Sequence, residues 1–150
     1  MSQMAQRNGV ADVVALMGGA KALDRPIRTN QDLADAIAAG LYVEALRNTI
    51  SALETPEKTI VEGVGLSRST LSRRKATGRL DVSESERAVR LARIAVLGKA
   101  VLGSTAAAGR WLLKPNRALG GRIPLSLLQS DVGSREVEAI LGRALYGGYS

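Results

Sequence analysis

Residues 66–80, LSRSTLSRRKATGRL, hold five cations, Arg68, Arg73, Arg74, Lys75 and Arg79, and no Asp or Glu. Groups of this kind at this density suit the binding of anions. Arg presents a fork that matches phosphate, or the O6 and N7 of guanine, and Lys adds a point charge. The same run is also the ordinary solvated face of a helix, or a surface for an acidic protein. What flanks it decides between these.

Composition removes much of the competing chemistry. With no Cys and no His in 150 residues, thiolate and imidazole metal sites, Cys nucleophiles and Ser-His-Asp triads are excluded. The chain therefore reads as a non-enzyme with no cofactor and no metal. Net charge is +7 and unevenly placed. Residues 1–54 carry five cations and six anions (net −1), residues 55–103 ten and five (net +5), and residues 104–150 six and three (net +3). A basic middle third points to a polyanionic partner. The start, MSQMAQRNGVADVV, has no apolar run behind a basic stretch, and the apolar run IAVLG stops at Lys99. No membrane association and a cytoplasmic location are expected.

The elements that must position the cations read as helices, because apolar spacings of three and four run between Gly and Pro breaks, and no stretch alternates with period two. Val10, Val13, Val14 and Met17 share a face. Thr29 and Asp32 form a cap-like start for a helix with Leu33 and Ile37 that Gly40 stops. Val43, Leu46, Ile50 and Leu53 make a buried seam. Pro56 at a first helical position opens a short helix with Ile60, Val61 and Val64 inward. Gly65 turns the chain and Ser67 caps the next helix, which gives a helix-turn-helix. Ser83 and Glu86 are read as a capping box for a long helix reaching Leu102. Gly103 ends that helix, Ser104 caps another, and Pro115 stops it. NRALGGRIP reads as an irregular connector in which Asn116 closes a local turn and Gly120 and Gly121 take positive φ. No P-loop Lys-Ser/Thr follows that GG pair. Pro124 starts a short helix, and Ser134 caps the last, which carries Val137, Ile140, Leu141 and Leu145. Trp111, the one large aromatic beside three Tyr and no Phe, is expected to anchor the C-terminal part.

With Leu71 directed to the core, a step of about 100° per residue puts Ser69 and Arg73 on the exposed face with Thr70 and Ser72 beside them. These reach base edges in a major groove. Arg68, Arg74 and Lys75 lie nearer the flanks, where long side chains can snorkel to phosphates, and Arg79 completes the expected DNA-binding set. Double-stranded operator DNA is thus the expected partner, bound by a homodimer with two-fold symmetry. The fold class is all-α: residues 1–54 form an N-terminal helical segment packing with the DNA-binding domain, 55–103 the helix-turn-helix region, and 104–150 a small helical C-terminal domain.

The segment GLSRSTLSRRKATGRLDVSESERAVRLARI resembles the helix-turn-helix half of Xre/MbcA/ParS-type antitoxins, the partners of RES-domain toxins. WLLKPNRALGGRIPLSLLQSDVGSREVEAILGRALYGGYS is similar to their C-terminal toxin-binding domain, with Trp111, Pro115, Asn116, Gly120, Gly121 and Pro124 among the residues in register. The likeness runs from about Val10 to Ser150. Ser126 and Ser130 depart from it, standing where Asp and Thr occur in many relatives. The resemblance implies a type II toxin–antitoxin system in which this chain silences a toxin that consumes NAD or transfers ADP-ribose, within a larger toxin–antitoxin complex. It also implies repression of its own operon. On that view Arg143, Tyr146, Gly147, Gly148, Tyr149 and Ser150 contact the toxin, the two glycines ending the last helix so that Tyr149, Ser150 and the terminal carboxylate project. A standalone transcription regulator whose C-terminal domain only dimerises is the competing reading. Arg143 and Arg135 can equally be surface ion-pair members.

Overall fold

The computed structural model describes residues 2–66, 69, 71–72 and 78–145, residues 2–8 by backbone alone. Among the described residues the regular elements are all helical: α1 (Ser2–Leu16), α2 (Gly19–Leu23), α3 (Asn30–Ala39), α4 (Val43–Leu53), α5 (Glu57–Gly63), α6 (Val82–Leu102), α7 (Thr105–Leu112) and α8 (Asp131–Leu145), with short 3₁₀ helices at Arg117–Leu119 and Pro124–Gln129. Two isolated antiparallel bridges, Tyr42 with Arg79 and Asn116 with Arg122, are the extended pairings. No single described helix is long and apolar enough to cross a membrane.

Local chemistry accounts for most of the boundaries. Thr29 Oγ1 accepts from Asp32 N at 3.1 Å and Asp32 Oδ2 from Thr29 N at 3.2 Å, a reciprocal cap that opens α3. Gly40 closes it at φ 88°. Pro56 sits one position before the first turn of α5 rather than inside it, extended at ψ 130°, and its carbonyl accepts from Ile60 N at 3.2 Å.

Two caps differ from the sequence-based placement. The long helix α6 opens at Asp81, which accepts from Glu84 N while Glu84 accepts from Asp81 N, both at 2.8 Å. Ser83 and Glu86 are bypassed because the earlier start buries Ser85, whose Oγ accepts from the Leu41 N–H at 2.9 Å. A buried N–H with no intrahelical partner needs that acceptor. Likewise Ser130, not Ser134, caps α8, its Oγ accepting from Gly133 N at 3.0 Å. Ser134 lies buried within the helix, and Gly133 lets the backbone of α8 press against the carbonyl of Leu127.

α6 is the central element, packing against α1, α3, α4, α7 and α8. At Gly103 (φ 98°) and Ser104, whose Oγ accepts from Ala107 N at 3.0 Å, the chain turns by 109° into α7. The run TAAAGR has a packing reason. A Cβ on Gly98 of α6 would stand 2.7 Å from Ala108 Cβ, and one on Gly109 would strike the carbonyl of Leu53. α7 is therefore wedged against both α6 and α4, a fit that only small side chains permit. The core is one continuous cluster from Val10 to Leu141, with the Val43, Leu46, Ile50 and Leu53 seam wholly inside. Leu112 is fully buried; Trp111 is half-buried at the edge of this core rather than its main filler.

The stretch expected to be an irregular connector is an ordered turn. Asn116 Oδ1 accepts from Ala118 N at 2.9 Å, Asn116 N donates to Arg122 O at 3.0 Å, and Gly121 N donates to Asn116 O at 2.9 Å. Gly120 and Gly121, at φ 67° and 84°, make the reversal possible.

Candidate functional site

The helix-turn-helix begins with α5, whose Ile60 and Val61 are fully buried, as is Val64 after it. Its C-terminal end is closed by Val64 N donating to Ile60 O (2.9 Å), Gly65 N to Glu62 O (3.0 Å) and Leu66 N to Val61 O (2.9 Å), with Gly65 at φ 84°. Leu66 is buried next. Ser69, Leu71 and Ser72 have helical backbone; Leu71 is buried, and Ser69 and Ser72 are exposed. Residues 69 and 72, three apart, lie on a common side of a helix. This is the orientation expected from the sequence, with the apolar residue inward and short hydroxyl side chains outward. Arg68, Thr70, Arg73, Arg74 and Lys75, and the Ser67 cap, lie outside the described residues.

Arg79 is the cation of the run that the structure describes, and its charge is directed onto the protein. Its guanidinium carbon lies 4.5 Å from the centroid of the Tyr42 ring. Nη1 donates to Gly40 O at 2.9 Å, and Nη2 donates to Tyr42 Oη at 3.2 Å and pairs with Asp24 Oδ2 at 3.3 Å. Tyr42 Oη in turn donates to Asp24 Oδ2 at 3.2 Å. The backbone reinforces the junction: Leu80 N donates to Leu41 O at 2.7 Å and Val43 N to Gly78 O at 3.0 Å. Arg79 thus ties the chain after the basic segment to the loop between α3 and α4. At the other end, Arg87 of α6 donates to Gly65 O at 2.9 Å. One arginine grips each flank of residues 67–77, and both do so through backbone carbonyls.

Sequence reading did not find Arg87, Asp24 and Tyr42 as members of this frame. No local signal marks them, since their partners lie 22, 55 and 37 residues away.

In the C-terminal part, the Asn116 turn carries Arg122, whose Nε donates to Leu119 O at 2.8 Å while Nη2 approaches Glu136 of α8 at 3.5 Å. Pro124, Leu125 and Leu128 bury the 3₁₀ helix that follows, and Ser126 Oγ donates to Ile123 O at 2.6 Å. On α8, Arg135 pairs with Asp131 at 2.9 Å, and Arg143 is exposed. Tyr146, Gly147, Gly148, Tyr149 and Ser150 lie outside the described residues.

Comparison with known proteins assigns both parts. Residues 32–93 match the antitoxin Xre-like helix-turn-helix domain, and residues 97–147 match the antitoxin Xre/MbcA/ParS C-terminal toxin-binding domain. An antitoxin Xre of Yersinia enterocolitica is 32% identical over 120 residues, covering 79% of this chain and 81% of its own length. An antitoxin Xre of Pseudomonas putida is 36% identical over 74 residues, 49% of this chain and 46% of its own.

Proposed function

The chain belongs to the Xre family of antitoxins, and from that premise we propose that it silences a RES-type toxin, one that consumes NAD or transfers ADP-ribose, and represses its own operon. The observation that carries the reading is the pairing of two matches on one chain, a helix-turn-helix domain over 32–93 and a toxin-binding domain over 97–147. One part supplies a surface for DNA, the other a surface for toxin.

For DNA, the inward Leu71 and outward Ser69 and Ser72 support a recognition helix whose base contacts come from Ser69, Thr70, Ser72 and Arg73. Arg68, Arg74 and Lys75 take phosphates. Arg79 acts from behind, by holding the end of the segment. A homodimer places two such helices on inverted half-sites about one helical turn apart. For toxin, the proposed contacts are Arg143 and residues 146–150. Residues 1–54 serve the DNA-binding unit, and the boundary with the C-terminal unit falls near residue 103.

The test is co-expression with the adjacent reading frame. A neighbour that arrests growth and depletes cellular NAD when alone, and does neither with this chain, is the expected result. A neighbour without that activity, or one this chain fails to silence, leaves the standalone regulator instead. For the DNA arm, Arg73→Ala is expected to cost about 1–3 kcal/mol of operator affinity and to relax specificity, whereas Arg74→Ala weakens all sequences alike and lowers the salt slope by about one.

A further inference from the structure

The two family domains touch at the turn on which DNA binding depends. Gly63, in the last turn of α5, has no room for a side chain: a Cβ there would run into Leu125 Cδ2 and lie 2.5 Å from Leu125 Cγ. Two residues on, the space beside Gly65 is filled from the same direction. A Cβ at Gly65 would meet Gln129 Cγ and Cδ at 3.5 Å and Arg87 Nη1 at 3.3 Å, the guanidinium nitrogen that donates to the Gly65 carbonyl. Leu125 and Gln129 both stand on the 3₁₀ helix Pro124–Gln129, inside the toxin-binding match, whereas Gly63, Gly65 and Arg87 belong to the helix-turn-helix match.

This 3₁₀ helix is itself firmly seated. Leu125 and Leu128 are 3% and 0% exposed, and the helix packs on α8 and α6 as well as on α5. A close-packed contact of that kind transmits displacement rather than absorbing it. Ser69, Leu71 and Ser72 follow Gly65 and Leu66 closely in the chain, and Leu71 is buried in the same core as Leu66 and Leu125.

The geometry points to Leu125 and Gln129 as positioning residues of the DNA-binding unit, supplied by the toxin-binding half of the chain. The inference rests on the DNA-binding reading above and extends it to residues that touch no DNA. It carries a thermodynamic consequence: a ligand of the C-terminal half that shifts Pro124–Gln129 alters operator affinity, and bound operator alters the affinity for that ligand by the same factor.

The experiment uses the full chain and two duplexes, one spanning the region upstream of its own gene and one of random sequence. Gly63→Ala is expected to lower affinity for the upstream duplex at least tenfold, with less than a twofold change on random DNA. Leu125→Ala removes the atoms that the new methyl group meets, so Gly63→Ala/Leu125→Ala is expected to recover to within threefold of the wild type. Gln129→Ala changes an exposed side chain and leaves the core intact; a loss of about threefold on the upstream duplex alone is expected. Wild-type affinity in Gly63→Ala, or a folded double variant no better than Gly63→Ala, overturns the proposal. Where a Gly63 variant fails to fold, Gln129→Ala decides, and unchanged affinity there overturns it. A wild-type chain that does not prefer the upstream duplex removes the DNA-binding reading itself, before any variant is made.

Discussion

Arg79 and Tyr42 form a cation–π pair, with the guanidinium carbon 4.5 Å from the ring centroid, while Nη1 of the same side chain donates to the Gly40 carbonyl at 2.9 Å. The charge of Arg79 is thus directed onto the protein rather than wholly into solvent. Both partners are partly exposed, so the stacking is worth roughly 0.5–1 kcal/mol. The hydrogen bond to Gly40 adds about 0.5–1.5 kcal/mol.

Arg79→Ala is therefore expected to lower stability by about 1–2 kcal/mol in thermal or urea unfolding. Operator affinity should fall with the salt slope unchanged, because no phosphate contact is removed. Arg79→Lys should recover little, since a single ammonium cannot reach Gly40, Tyr42 and Asp24 in the same geometry. A salt slope lower by about one in Arg79→Ala would assign the residue to the phosphates after all.

Much of the scaffold was legible because its signals are local. The Thr29–Asp32 cap, the Leu46 and Ile50 seam, the Gly65 turn, the Gly103–Ser104 break and the Asn116 turn each depend on residues within about one helical turn of one another. What escaped was decided at a distance. DVSESE offers two overlapping capping boxes, and the earlier one forms in a helix whose Ser85 Oγ accepts from the distant Leu41 N–H. SDVGS likewise offers Ser130 and Ser134, and the close approach of Gly133 to Leu127 selects Ser130. The charge run could not reveal that Arg79 faces Asp24, 55 residues away. Scarcity of aromatics does not make Trp111 the main filler, because Leu and Ala side chains fill the core against which it packs. Ser130 supplies a hydroxyl just as Thr would, so that departure from the family pattern is harmless to the cap.

The choice of cap at α6 can be measured. Asp81→Ala is expected to cost about 1 kcal/mol, and Ser83→Ala to stay within about 0.5 kcal/mol of the wild type, as surface substitutions usually do. Ser85→Ala should cost more, about 1–3 kcal/mol, because it strands the buried Leu41 N–H. Equal losses for Ser83→Ala and Asp81→Ala would restore the later start.

Asp32 gives an acid-dependent term. The Arg28 N–H, donating to Asp32 Oδ2 at 2.9 Å, is the chief influence holding this carboxyl below its ordinary value of 3.8, with Thr29 N–H and Oγ1 also lowering it. The unfolded chain then takes up the proton more readily than the folded one. The contribution to stability is complete above pH 3.8 and disappears as pH falls through the folded value. NMR titration should place the Asp32 midpoint below 3.8, and Asp32→Asn should remove this share of the acid sensitivity of α3. A midpoint at or above the ordinary value would contradict the cap geometry.

The exposed side of α8 separates the toxin arm from the DNA arm. Val132, Arg135, Glu136, Ala139 and Arg143 are exposed and follow one another at spacings of 3, 1, 3 and 4, a single face. Arg135 is paired with Asp131 at 2.9 Å and Glu136 with Arg122 at 3.5 Å. Arg143 makes no ion pair with a described residue, and residues 146–150 follow Leu145 in the sequence. Val132, 73% exposed, stands at the opposite end, roughly 16 Å away along the axis. If toxin docks at the C-terminal end, Arg143→Glu should weaken toxin binding about tenfold or more, some 1.4 kcal/mol, while Val132→Asp changes it less than twofold. Both substitutions are on the surface and should leave stability within about 0.5 kcal/mol and operator binding by the free antitoxin intact. Calorimetric titration against purified toxin measures the first effect, and rescue of growth on co-expression checks it in cells. The reverse pattern, loss with Val132→Asp and none with Arg143→Glu, would move the toxin surface to the start of α8, next to the end of the 3₁₀ helix Pro124–Gln129.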